Sequence, residues 1–306
     1  MTFSIVFPGQ GSQSVGMLAD LAETYPIVKD TFAEAGDVLG YDLFKLTQEG
    51  PAEELNQTFR TQPALLTSSY AIWRVWKSLN GKTPSHMAGH SLGEYSALLC
   101  AGAIDFKDAV KLVEQRGKFM QESVPAGTGS MAAVIGLGDD EVRKGCEQAA
   151  QDQVCSAVNF NSPGQVVIAG NREAVERAAE ILKNAGAKKI IPLSVSVPSH
   201  CALMKPAAER MTEVLASINI RTPEIPVINN VDVAMETDPD RIRDALVRQL
   251  YCPVRWTETV VKMADLGIET MLEMGPGKVL TGLARRIDKR VECVGANTTG
   301  AIQELI

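Results

Sequence analysis

Short apolar runs alternate with amphipathic stretches along most of the 306 residues. FSIVF at 3–7 reads as a first buried strand, an apolar-periodic segment runs over 63–78, and HMAGH at 86–90 precedes two helices predicted at 91–101 and 105–122. After the Gly/Ser cluster PAGTGS at 125–130 the spacing shortens. The pattern predicts a strand at 131–137, a helix at 139–150, and strands at 154–160 and 165–170 joined through Asn161-Ser162-Pro163-Gly164. A helix follows at 171–186, with Asn171 as N-cap and Gly186 just past its end, and then a strand at 188–197. The order βαββαβ is that of a ferredoxin-like split unit. Beyond it come a helix at 205–218, a strand near 225–229, helices near 239–250 and 255–266, a strand at 268–274 and a helix entered through Gly275-Pro276-Gly277. Such alternation predicts an α/β fold with a mainly parallel sheet. The chain divides into a discontinuous large domain, 1–124 and 199–306, interrupted by a small domain at 125–198.

Composition narrows the function. Apolar residues are 45% of the chain and charged residues 22%, with no apolar run near the roughly 20 residues that span a bilayer, so no membrane partner is expected. The net charge of −7 opposes nucleic-acid binding and leaves any anionic partner to be met by local basic patches. MTFSIVFPGQGS lacks the basic and long apolar regions of a secretory leader, which predicts a cytoplasmic protein. Six scattered cysteines without a Cys-x-x-Cys pair suggest neither a zinc site nor a disulfide framework, and no metal is assigned.

The chemistry concentrates at Gly89-His90-Ser91-Leu92-Gly93, a G-x-S-x-G string between a short apolar strand and a helical run. Two glycines permit a sharp reversal that lifts a serine onto the turn, at a helix amino terminus whose free N–H groups can receive an oxyanion. The bland alternative is an ordinary tight turn with an unreactive serine. A nucleophilic serine needs a base, and only His86, His90 and His200 are available. His90 adjoins Ser91 and should point to the opposite face; His86 is about five residues upstream and out of reach. His200, where a strand gives way to a helix, is the better candidate.

Five blocks together resemble the malonyl-CoA:acyl carrier protein transacylase family over nearly the whole chain: FPGQGSQ (7–13), GHSLGE (89–94), QRGKFMQ (115–121), VPSHCALM (197–204) and EMGPGKVL (273–280). The resemblance implies an α/β-hydrolase-like large domain interrupted by a ferredoxin-like small one. It implies Ser91 as acylated nucleophile, His200 as general base, and Gln10 and Leu92 as residues whose backbone N–H groups form the oxyanion hole. Arg116 would hold the malonyl carboxylate and Gln249 would help orient the histidine, with no acidic third member and no cofactor. The partners implied are malonyl-CoA and acyl carrier protein. Arg116 also suits the role chemically, because a guanidinium forks onto a carboxylate and stays charged when desolvated; on helix pattern alone it would be a solvated arginine. Leu92 favours malonyl over methylmalonyl by the same resemblance. Lys188 and Lys189, and Arg285 and Arg286 with Lys289 and Arg290 along one helix face, are candidate docking cations for an acidic carrier or coenzyme phosphates. Two other readings remain at this level: a serine esterase or thioesterase sharing Ser91 and His200, and an inactive scaffold that binds acyl carriers.

Overall fold

The computed structural model describes residues 2–193, 195 and 197–306. Nine strands are found among them: β1 (Phe3–Phe7), β2 (His86–Gly89), β3 (Gly129–Ile135), β4 (Cys155–Ser162), β5 (Gln165–Asn171), β6 (Lys189–Pro192), β7 (Val227–Ile228), β8 (Thr270–Glu273) and β9 (Glu292–Gly295). They form a five-stranded sheet, order β7-β2-β1-β8-β9, and a four-stranded sheet, order β4-β5-β3-β6. The first is parallel at every pairing and the second antiparallel at every pairing.

The parallel sheet is covered on both faces, which is why its strands read as unbroken apolar runs. Along β1, Ile5 and Phe7 join a core with Tyr95 and Leu98, while Val6 between them joins Ala88, Trp256, Val260 and Leu283 on the other side. The antiparallel sheet also uses both faces. Ala132, Val134 and Ile168 pack under Val142, Cys146, Ala178 and Leu182 of its two helices. Met131, Ala133, Val167 and Ala169 turn toward the larger body and Cys201. Backbone bonds stitch the units together: Val254 donates to Val158 (2.8 Å) and accepts from Phe160 (3.0 Å).

Several boundaries depart from the sequence reading. The helix sought from 63 begins at Thr58 and carries Pro63 inside it, because its polar first turn, Thr58, Thr61 and Gln62, is buried and breaks the apolar pattern. β3 starts two residues earlier than expected, where Gly129 and Ser130 pair with Asn171 and Gly170. The predicted strand 188–197 is only Lys189–Pro192, its pairing to β3 ending at Ala132↔Pro192; residues 194 and 196 lie outside the described residues. Asn171 does occupy the N-cap position, but its side chain accepts from Val154 N (2.8 Å) and so ties two strands instead of capping. Helices at Ala19–Thr24, Pro26–Leu39, Leu43–Glu49, Ala52–Leu55 and Thr299–Leu305, and β9, have no counterpart in the sequence reading. The helix Val279–Ile287 stops before Lys289 and Arg290, so these two do not continue the face of Arg285 and Arg286. The EMGPGKVL block has a structural role here: buried Glu273 accepts from Leu280 N (3.0 Å), Thr281 N (2.7 Å) and Thr281 Oγ1 (2.7 Å), capping that helix with a carboxylate at its positive end.

Candidate active site

β2 ends at Gly89, and the helix Gly93–Cys100 begins after a turn in which Ser91 takes φ +52°. The turn is possible only with glycine on both sides. A Cβ at Gly89 would sit 1.8 Å from the carbonyl carbon of Gly93, and one at Gly93 would sit 2.1 Å from the carbonyl oxygen of Phe7. The reversal brings Ser91 Oγ to 2.8 Å from His200 Nε2. His200 is itself at φ +64°, with its N–H bonded to Leu250 O (3.0 Å). Its Nδ1 lies 2.7 Å from the backbone carbonyl of Gln249. A carbonyl can only accept, so Nδ1 carries the proton and the Nε2 lone pair faces the serine hydroxyl. No carboxylate occupies the third position; that backbone carbonyl does.

His200 is 3% exposed. Burial first, and the positive charge of Arg116 second, push its pKa down to about 3, so the ring is neutral at physiological pH and its Nε2 lone pair is free. Arg116, only 1% exposed, projects from the helix Phe106–Glu122. Its Nη1 donates to Gln62 Oε1 (2.9 Å) and Nη2 to Gln249 Oε1 (3.0 Å), and Nη2 lies 3.5 Å from Ser91 Oγ. The Tyr95 ring lies 5.3 Å from the guanidinium carbon. No carboxylate forms an ion pair with Arg116 among the described residues. Arg116 bonds only neutral groups, with the Glu94 carboxylate acting on it from beyond Gln249, and a buried cation so placed beside a nucleophile is suited to an incoming anion.

The backbone N–H groups of Gln10 and Leu92 donate to no protein acceptor among the described residues, while Ser91 N–H is already taken by Asn230 Oδ1 (2.7 Å). Gln10, Leu92, Ser91, His200 and Arg116 all line one cleft of about 80 Å³, with Met131 and Asn159 of the small sheet and Leu193 and Val195 beyond β6. The five sequence candidates are thus in one place, and Gln249 lies directly beneath them. Of the remaining two histidines, His90 lines the cleft but bonds away from the serine, and His86 lies outside it. His90 bonds Asn161 Oδ1 through Nε2 (2.8 Å) and tilts against Trp256, and His86 bonds Ser85 Oγ (3.1 Å); burial lowers the pKa of both.

The sequence reading missed Gln62, Glu94 and Asn230. Glu94, 2% exposed, accepts at Oε2 from Asn230 N (2.9 Å) and Gln249 Nε2 (2.9 Å), and burial pushes its pKa up to about 7. A signal existed: a lone acidic residue in the apolar run GEYSALLC must be buried and therefore paired. Asn230, two residues past the end of β7, and Gln62, before a proline, carry no such mark.

The docking candidates lie away from this cleft. Lys188 and Arg286 line a separate groove of about 400 Å³ with Gly136, Pro163 and Gln165, and Arg286 Nη1 bonds Gln165 Oε1 (3.0 Å). Lys189 and Arg285 are exposed beside them in sequence. Arg290 is occupied by Asp265 and Asp288, whereas Lys188, Lys189, Arg285 and Arg286 make no ion pair among the described residues.

Residues 4–298 match the acyl transferase domain family. The chain is 65% identical over 300 residues to the malonyl CoA-acyl carrier protein transacylase of Escherichia coli (strain K12), covering 98% of this chain and 97% of that one. It is 45% identical over 301 residues to the Bacillus subtilis (strain 168) protein of the same name, covering 98% and 95%. An acyl carrier protein S-malonyltransferase from Vibrio cholerae O1 biovar eltor superposes with a TM-score of 0.98 at 64% identity, over 100% of both chains. A malonyl-transacylase in complex with a holo type II PKS acyl-carrier protein superposes with a TM-score of 0.99 at 60% identity, over 100% of this chain and 99% of that one.

Proposed function

Because this chain belongs to the acyl transferase family, we propose that it transfers the malonyl group of malonyl-CoA to the phosphopantetheine thiol of acyl carrier protein, in fatty-acid biosynthesis, through a malonyl ester on Ser91. The observation that carries this reading is the 2.8 Å contact from Ser91 Oγ to neutral His200 Nε2, beside a buried arginine that no carboxylate among the described residues contacts directly.

Malonyl-CoA enters with its carboxylate on Arg116, which leaves the thioester carbon facing Ser91. His200 Nε2 takes the hydroxyl proton as Oγ attacks, and the N–H groups of Gln10 and Leu92 receive the developing oxyanion. The C–S bond breaks, the Nε2 proton goes to the leaving sulfur, and coenzyme A departs as its thiol. In the second half the carrier thiol gives its proton to His200, attacks the ester, and Ser91 leaves with that proton. Exchange of an acyl group between sulfur and oxygen transfers no electrons, and the reading needs no cofactor. The substrate carboxylate also cancels the Arg116 charge that depresses His200, so a bound malonyl group makes the base stronger.

Two further readings concern architecture and setting. The larger unit, 1–124 with 199–306, is read as α/β-hydrolase-like, supported by its parallel sheet and the elbow at the carboxyl end of β2. The insertion, 125–198, is read as ferredoxin-like, supported by strand order β4-β5-β3-β6 with two helices on one face. Lys188, Lys189, Arg285 and Arg286 are assigned to docking of an acidic carrier or of coenzyme phosphates, supported by their exposure and lack of ion pairs. A cytoplasmic setting suits six unpaired cysteines. No helix of the described residues is long and apolar enough to cross a membrane.

Intact-mass measurement after incubation with malonyl-CoA tests the central claim. A malonyl increment that is absent in Ser91→Ala and discharged by a holo carrier protein is the expected result. An increment retained in Ser91→Ala would reject the assignment, and rapid loss to water without acceptor would return the esterase reading.

A further inference from the structure

Ser91 and His200 are 109 positions apart and both hold positive φ, so their alignment needs support beyond local preference. The support is one buried polar assembly. The Asn230 side chain spans the elbow: Oδ1 accepts from Ser91 N (2.7 Å) and Nδ2 donates to Gly89 O (2.7 Å), so donor and acceptor ends are both fixed. Gln249 holds the other side. Its Nε2 donates to Ser91 O (3.0 Å), its Oε1 accepts from Arg116, and its backbone carbonyl takes His200 Nδ1. Asn230 and Gln249 are joined by a single atom, Glu94 Oε2, which accepts from the backbone N of one and the side-chain amide of the other. Asn230 and Gln249 are fully buried and Glu94 nearly so, and neither Glu94 nor Asn230 lines the substrate cleft.

We propose that Glu94 and Asn230 are positioning residues of the transfer reaction, forming with Gln249 a buried brace that fixes Ser91 Oγ, His200 Nε2 and the Arg116 guanidinium relative to one another without contacting substrate. This inference rests on the roles given above to Ser91 and His200. Glu94 acts through its acceptor oxygen, so an amide of the same shape can replace it. Asn230 acts through one acceptor and one donor, so Asp cannot replace it: the second oxygen would face the Gly89 carbonyl.

The experiment compares steady-state malonyl transfer from malonyl-CoA to holo carrier protein by wild type, Glu94→Leu, Glu94→Gln and Asn230→Asp, with folding followed by thermal melts. An ångström of misalignment costs about 100-fold, so Glu94→Leu is expected to lose about 100-fold in kcat with KM for malonyl-CoA within about threefold of wild type. Glu94→Gln is expected to recover most of that loss, and Asn230→Asp to lose at least about tenfold in kcat while remaining folded. Wild-type kcat in Glu94→Leu, no recovery in Glu94→Gln, or a loss confined to KM overturns the brace. If Glu94→Leu does not fold, Asn230→Asp decides: unchanged kcat there overturns it. Failure of the underlying reading is separate, because wild type would then carry no malonyl group on Ser91.

Discussion

Under the proposed function, acyl selectivity turns on Arg116. Its charge is out of water and is met by two glutamine oxygens, so an anion placed there gains two strong hydrogen bonds while a methyl group leaves the guanidinium unanswered. Removing one partner of a buried charged pair costs about 2–5 kcal/mol, so Arg116→Ala is expected to lower kcat/KM for malonyl-CoA by roughly 30-fold or more. Acetyl-CoA should lose less or gain. Parallel kcat/KM measurements check this, and equal losses for the two thioesters would remove the carboxylate from Arg116. At this scale the sequence was informative where residue types are scarce. Three histidines and one elbow leave few pairings, and Ser91 with His200 followed. Arg116 was legible only through the resemblance, since a helix pattern does not say which arginine is buried. Asn230 was invisible because its function lies in both ends of a short amide meeting backbone groups of a segment about 140 positions away.

Among elements, the approach of two helices decides where Arg116 stands. Gly117 is the reason Phe106–Glu122 can lie so close to Thr58–Ser78: a Cβ there would be 2.5 Å from Phe59 Cα. Backbone cannot step aside as a side chain can, so Gly117→Ala is expected to destabilise the fold by about 1–3 kcal/mol and to shift Arg116 from Gln62. Gly282→Ala is the control, since nothing lies within 4 Å of its Cβ position and alanine favours helix by up to about 1 kcal/mol. Thermal melts should separate the two; equal melting temperatures would show that the helix contact yields. The elements legible in the sequence were the periodic ones. Residues 19–55 fold into four helices, three of them only four to seven residues long, too short to display a period. Pro26–Leu39 does carry one, in Val28, Phe32 and Ala35. Tertiary pairing, and not local pattern, set the ends of β3 and β6.

For the molecule as a whole, the proposed docking of an acidic carrier must be reconciled with a net charge of −7. The answer offered is local: Lys188 and Arg286 share one groove although nearly 100 positions separate them, a proximity that sequence alone could suggest only as two clusters. Lys188→Glu with Arg286→Glu is expected to raise KM for carrier protein about tenfold or more at low salt, with a smaller effect at high salt and little change in malonyl loading of Ser91. Titration of carrier protein at two ionic strengths checks it; an unchanged KM would move docking elsewhere. The division into a parallel and an antiparallel sheet was readable from spacing, whereas the seam between them was not.

Part of that seam is main chain, at Val158, Phe160 and Val254, and side chains add the His90–Asn161 and Arg286–Gln165 bonds. Every residue but proline supplies both a backbone N–H and a carbonyl, so substitution at these three positions by anything but proline keeps the main-chain bonds. Bonds of that kind hold the two walls of the cleft together, and under the proposed function the girth of the guest is set by Met120, Met131 and Leu193, which line it.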